Sequence, residues 1–164
     1  MKEIYLAGGC FWGVDAYFQR IDGIVETESG YANGNTENPT YEEVCRMNTG
    51  FAETVKLIYD ETVIALPEVL QRYFKIIDPT TIDRQGGDTG NQYRTGIYFV
   101  DPSDEVVIKD QLDQLAQKYE DKIQVEVMPL QNYYKAEEYH QDYLKKNPRG
   151  YCHINLALAD EPLD

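Results

Sequence analysis

Cys10 stands in GGCFWG, residues 8–13, between a glycine pair and two large aromatics. Glycines weaken regular structure, so a thiol there is either a small buried hydrophobe or a nucleophile on a turn. Val14, Tyr17, Phe18 and Ile21 follow at helical spacing, which places Cys10 where a strand-like stretch gives way to a helix. Backbone N–H groups at such a start lack partners, and the helix dipole is positive there. A free thiol has a pKa of about 8.5, and a helix N-terminus lowers it toward the reactive thiolate.

Glu53 is the second candidate. Residues 51–59, FAETVKLIY, alternate, so Glu53 shares a face with Phe51, Val55, Leu57 and Tyr59. If that face is the core face, burial raises the pKa of the acid and makes it a proton donor. If the strand frays at this end, Glu53 lies in solvent. Asp88 and Tyr93 lie in QGGDTGNQYRTG, a glycine-bracketed loop before a strand, a common place for binding groups as well as for plain polar turns. Cys152 follows NPRGY, and a loop of that kind can bring one thiol to another. Cys45, in EEVCRM, reads as a helix or turn residue with no assigned role.

These groups need elements to hold them. The pattern predicts strands over 2–7, 24–31, 51–59 and 95–100, with a further strand carrying Ile123, Val125 and Val127. It predicts helices after Cys10, over 67–77 with Pro67 in the first turn, after Asp101-Pro102, and a short one over 136–145. Residues 33–39 and 78–91 read as loops rich in Asn, Gly and Pro. The order β-α-β-β-α-β-α-β points to an α/β (α+β) domain. The expected form has helices packed on a mixed sheet, with a ferredoxin-like core and an irregular C-terminal segment.

The 164 residues fit one domain, 1–164, and a 42% hydrophobic content supports a core. A net charge of −14 argues against a nucleic-acid partner. No apolar run reaches the ~18 residues of a membrane span, and no secretory h-region precedes the first strand. Three cysteines, without a C-x-x-C pair, suggest a reducing cytoplasmic setting with at most a transient disulfide. The two histidines complete no metal-ligand spacing.

GCFWG (9–13), GYANG (30–34), NPTYEEVC (38–45), GFAE (50–53), QGGDTGNQYRTGIY (85–98) and AEEYHQDYLKKNPRGYC (136–152) together resemble the peptide methionine sulfoxide reductase A family, in order and over nearly the whole chain. The sequence is also similar to the A half of A/B fusion reductases. The resemblance implies that Cys10 attacks the sulfoxide sulfur while Phe11 and Trp12 wall the pocket for the substrate methyl group. It implies that Glu53 protonates the sulfoxide oxygen, that Tyr41 and Tyr93 hydrogen-bond it, and that Asp88 organises the site. Cys10 would become a sulfenic acid, Cys152 would resolve it to a disulfide, and thioredoxin would reduce that. The implied substrate is the S epimer of methionine sulfoxide, free or in proteins. The implied fold is a two-layer α/β sandwich, no bound cofactor or metal is implied, and the expected state is a monomer.

Phe51 stands where the family usually has His, Gly87 where Asn is common, and no cysteine follows Cys152. Two other classes compete with the reductase. A cysteine hydrolase needs a histidine base beside the thiol, and neither His140 nor His153 lies in an evident triad. A non-catalytic module would bind methionine-rich proteins through the aromatic pocket.

Overall fold

The computed structural model describes residues 1–46 and 48–163. Strands β1 (Lys2–Gly8), β2 (Ile24–Ala32), β3 (Ala52–Tyr59), β6 (Thr95–Phe99), β7 (Glu126–Pro129) and β8 (Tyr133–Lys135) form one sheet in the order β7-β6-β1-β3-β2-β8. A separate two-residue hairpin, β4 (Arg84–Gln85) with β5 (Asp88–Thr89), projects beside it. The central order β6-β1-β3-β2 is antiparallel throughout and has the split β-α-β arrangement of ferredoxin-like cores. The pair β6–β7 is parallel, which makes the sheet mixed.

Helices α1 (Phe11–Phe18), α3 (Leu66–Phe74) and α4 (Asp104–Ala116) cover one face. Alternation decides which side chains they meet. Ile4 and Leu6 of β1, Val55, Leu57 and Tyr59 of β3, and Ile97 and Phe99 of β6 enter the main core with Phe11, Val14, Tyr17 and Phe18 of α1. The opposite face buries a smaller cluster around Tyr5, Ala7, Ala32, Ala52 and Tyr98. Each large side chain fully removed from water contributes roughly 1.5–3 kcal/mol. Apolar packing on the helix-covered face therefore fixes the direction in which residue 53 points.

Four elements depart from the sequence expectation by more than one residue. The strand read at Ile123, Val125 and Val127 begins only at Glu126, because Gln124 N–H donates instead to the Pro79 carbonyl. The helix after Asp101-Pro102 starts at Asp104: the Asp101 side chain accepts from Ser103 N–H and Oγ, which makes residues 101–103 a turn. The helix read to 77 ends at Phe74. The segment 136–145 is a 3₁₀ turn (Glu138–His140) and a short helix α5 (Tyr143–Lys146), interrupted where Asp142 takes the left-handed conformation with φ 52°. Helix α2 (Tyr41–Cys45) opens with a capping box, Thr40 and Glu43 bonding each other's backbone N–H.

Candidate active site

Cys10 is the N-cap residue of α1 and is 7% exposed. Gly9 before it takes φ +85°, a turn conformation that favours glycine. The Cys10 side chain caps no backbone N–H, yet the Trp12 N–H at the helix start acts to lower the thiol pKa. The net effect nonetheless opposes the sequence expectation. Burial is the largest influence and pushes the thiol pKa well up, with the Glu53 carboxylate adding to it. At neutral pH Cys10 therefore rests as a protonated thiol, and a buried environment, not visible in a local motif, is the reason.

Glu53 lies one strand away on β3, 1% exposed. Its neighbour across the sheet is Tyr31. Phe11 N–H donates to Oε1 at 3.2 Å, while Oε2 is buried with no partner among the described residues. Burial pushes the carboxyl up to about 8, against the helix-start hydrogen bond and with a small push from Asp88. Glu53 thus carries a proton at neutral pH. The helix start thus bonds the acid, through Phe11 N–H, and not the thiol.

The aromatics form a wall around this pair. Phe11 is buried beside Tyr31 and His140, with ring centroids 5.7 and 5.1 Å away. Trp12 is half-buried and stacks on Tyr143 at 3.7 Å. Its indole N–H donates to His140 Nδ1 at 3.0 Å, which requires a neutral His140 with the proton on Nε2. Tyr41 lies against the His140 ring at 4.4 Å. Its N–H donates to Glu137 Oε2 at 2.9 Å, and its hydroxyl lies near enough to Cys45 for each to act on the other's pKa. Tyr93 ends a 3₁₀ turn, and the next residue pins that turn: the Arg94 guanidinium donates to the Asn91 and Gly50 carbonyls and pairs with Glu126. Burial and then Glu53 raise the hydroxyl of Tyr93, with Asp88 and Cys10 also close enough to act on it.

Asp88 begins β5 and accepts from the Tyr151 hydroxyl at 2.8 Å. This bond ties the hairpin to the Cys152 segment. Cys152 is half-buried with a free thiol that donates to the Ile154 carbonyl at 3.2 Å. Its sulfur lies over the first turn of α1, where a methyl group on Gly13 would meet it at 3.2 Å. Cys45 lies near the acid and the Tyr41 hydroxyl. The structure therefore gathers Cys10, Phe11, Trp12, Tyr41, Glu53, Asp88, Tyr93 and Cys152 at one end of α1. Phe51 is fully buried on the same β3 approach, packed on Tyr134, a dry flank for the acid. Gly87 lies in open space, so nothing steric dictates glycine there.

Four residues in this region carried no sequence assignment. His140 and Tyr143 hold Trp12, Glu137 links Tyr31 to Tyr41, and Tyr151 holds Asp88. All lie in the tyrosine-rich stretch 136–152, whose composition was visible but whose wrapping over α1 was not.

A family model for peptide methionine sulfoxide reductase matches residues 2–163. The chain belongs to the peptide methionine sulfoxide reductase family. A relative from Clostridium perfringens, peptide methionine sulfoxide reductase MsrA, is 61% identical over 95% of this chain and 99% of its own length. Another from Lachnoclostridium phytofermentans is 55% identical over 97% and 96%. The fold is similar to that of Mxr1 from Saccharomyces cerevisiae in reduced form, with TM-score 0.89 and 39% identity over 94% of this chain and 91% of that one. It is also similar to methionine sulfoxide reductase A of Corynebacterium diphtheriae, with TM-score 0.85 and 38% identity over 92% and 77%. A third similar structure, Mxr1 in complex with Trx2, has TM-score 0.62 and 28% identity over 87% of this chain and 84% of that one. An oxidoreductase site and an α+β fold are thus common ground between this reductase and its relatives.

Proposed function

We propose that this chain reduces the S epimer of methionine sulfoxide, free or in proteins, by thiol chemistry at Cys10. The observation that carries the reading is the pairing of a buried, protonated Glu53 with a buried thiol inside an aromatic wall. A sulfoxide is a weak electrophile until its oxygen is protonated. Glu53 supplies that proton from Oε2, the oxygen left without a partner. Cys10 sulfur attacks the sulfoxide sulfur, and its own thiol proton replaces the one Glu53 gives. Methionine leaves, and the oxygen remains on Cys10 as a sulfenic acid. Phe11 and Trp12 enclose the methyl group, and Tyr41 and Tyr93 offer hydroxyls to the oxygen. Asp88 orders the surrounding loop.

Cys152 then attacks the sulfenic acid to give a Cys10–Cys152 disulfide and water. Its position over α1 supports this role. External thioredoxin returns both thiols, so the cycle needs no bound cofactor; the Trx2 complex of Mxr1 supports that partner. The remaining parts of the reading are one domain over 1–164, action as a monomer, and a cytoplasmic setting suited to three unpaired thiols. None of the described helices is long and apolar enough to cross a membrane.

The test is NADPH oxidation with thioredoxin, thioredoxin reductase and a peptide bearing the S sulfoxide. Turnover is expected with that epimer and not with the R epimer. Cleavage of a thioester or amide, or binding without turnover, would replace the reductase by a hydrolase or a binding module.

A further inference from the structure

His153, the residue after the resolving cysteine, has a seat built of glycines. Its Nε2 lies 3.0 Å from the Gly8 carbonyl oxygen. A carbonyl only accepts, so Nε2 carries the proton and Nδ1 of the neutral ring holds a lone pair. That Nδ1 is buried and has no partner among the described residues. Only at Gly9 would a side chain crowd the ring, while Gly86 and Gly13 line it at contact distance. A Cβ at Gly9 would stand 3.0 Å from Nε2, one at Gly86 would stand 3.5 Å from His153 Cβ, and one at Gly13 would stand 3.4 Å from Nδ1. The same point over Gly13 is 3.2 Å from Cys152 Sγ. The resolving thiol and the partnerless nitrogen therefore flank one spot on the first turn of α1, beside Cys10.

We propose that His153 is the general base of disulfide formation, taking the Cys152 thiol proton on Nδ1 as that sulfur attacks the Cys10 sulfenic acid. This rests on the reading of Cys152 as the resolving residue. The S–H bond of Cys152 breaks, its proton goes to Nδ1, and the sulfur's electron pair forms the S–S bond. The S–O bond of Cys10 breaks, and the oxygen leaves as water with the proton handed back by the imidazolium. Cys152 sulfur is oxidised and Cys10 sulfur reduced, so no further oxidant is needed. The Gly8 hydrogen bond fixes the tautomer this requires. The other titratable groups around the ring are Cys10 at the α1 start, Asp88 on β5, and Tyr151 and Cys152 on its own segment. Burial lowers the His153 pKa below the ordinary imidazole value, against the Gly8 bond and Asp88, so the base form holds at neutral pH.

The measurement is the rate of disulfide formation after a single turnover, followed by quenching, thiol counting and peptide mapping from pH 5 to pH 9. His153→Gln keeps a side-chain N–H for the Gly8 carbonyl and removes the titrating nitrogen. In the native protein the rate should be flat through neutral pH and fall only below about 6.5, the ordinary imidazole value. His153→Gln should be about 10- to 100-fold slower at pH 7, at the lower end of general-base effects and below. Its rate should instead rise with pH across the whole range, since hydroxide must then replace the missing base. A His153→Gln rate equal to the native one overturns the proposal. So does a slower rate that keeps the native pH profile, because that marks a docking role alone. Cys152→Ser separates the two levels: if a Cys10 disulfide still forms in it, the resolving role of Cys152 falls, and that of His153 with it.

Discussion

Glu53→Gln tests the acid in two ways that should move in opposite directions. Keeping the carboxyl protonated from its ordinary 4.5 to about 8 ties folding to pH. The folded chain holds the proton in that window while the unfolded chain releases it. Stability should therefore fall as pH rises from 4.5 toward 8 and level off above. At ~1.4 kcal/mol per pH unit, the cost at pH 7 is about 3 kcal/mol. Gln removes this cost with the same shape. Its Oε1 still accepts from Phe11 N–H, and its NH₂ meets the same partnerless surroundings as the protonated Oε2. Urea unfolding should thus show near-equal stability for the two proteins at pH 4.5 and a more stable variant at pH 7, by up to about 3 kcal/mol. Rapid-quench methionine formation should fall by about 10²-fold or more, the usual loss of a general acid. A stability difference that does not change between these pH values would refute the raised pKa. An unchanged chemical step would refute the role of the acid even if the stability result held.

Cys10→Ser should yield no methionine even in a single turnover, as read by quench and chromatography. Cys152→Ser should release about one equivalent of methionine per chain and then stall with thioredoxin, leaving a sulfenic acid that a sulfenate-specific probe labels; Cys45→Ser should turn over nearly as the native chain does, because Tyr41 still packs on His140. Removing the acceptor of the Trp12 indole with His140→Phe should lower kcat/KM by roughly 3- to 10-fold through KM, the worth of one hydrogen bond, while His140→Gln, which can accept the bond, should recover most of it. Native KM should rise below pH 6.5, since burial lowers the His140 pKa and protonating Nδ1 breaks the Trp12 bond.

The core strands were legible because one physical rule governs them. Where a face is buried, alternation is strict, and β3 shows it in Val55, Leu57 and Tyr59 inward against Lys56 outward. Glu53 was legible for the same reason, as the one acid in an apolar register. The edge strand β8 was not, because Tyr133-Tyr134-Lys135 is too short to alternate and owes its pairing to Tyr31 and Ala32. Helix α4 was placed early because Asp101-Pro102 and a capping turn look alike in sequence. The Cys10 pKa failed in sign for a related reason: a helix start is a local feature, while burial depends on segments 40 and 140 residues away.

The long-range bonds explain how the site stays assembled although its parts come from distant segments. Four of the groups at the site are held by neighbours from one segment. Trp12 is held by His140, Tyr41 by Glu137, Asp88 by Tyr151, and the segment of Cys152 by the His153–Gly8 contact. All four holders lie in residues 137–153, which carry little regular structure of their own. Such a strap opens at lower cost than the sheet beneath it, since it buries few large side chains. That difference suits the order of events. Glu53 and Cys10 are fixed by β3 and α1, where sulfoxide chemistry needs rigid placement. Cys152 is carried by the strap, where it can move toward the sulfenic acid and then present the disulfide to an external thiol. Hydrogen exchange should accordingly find β1 and β3 amides protected to the global unfolding limit and those of 147–153 exchanging by local opening. Equal protection of the two would mean that the strap does not move independently and that disulfide reduction needs opening of the whole domain.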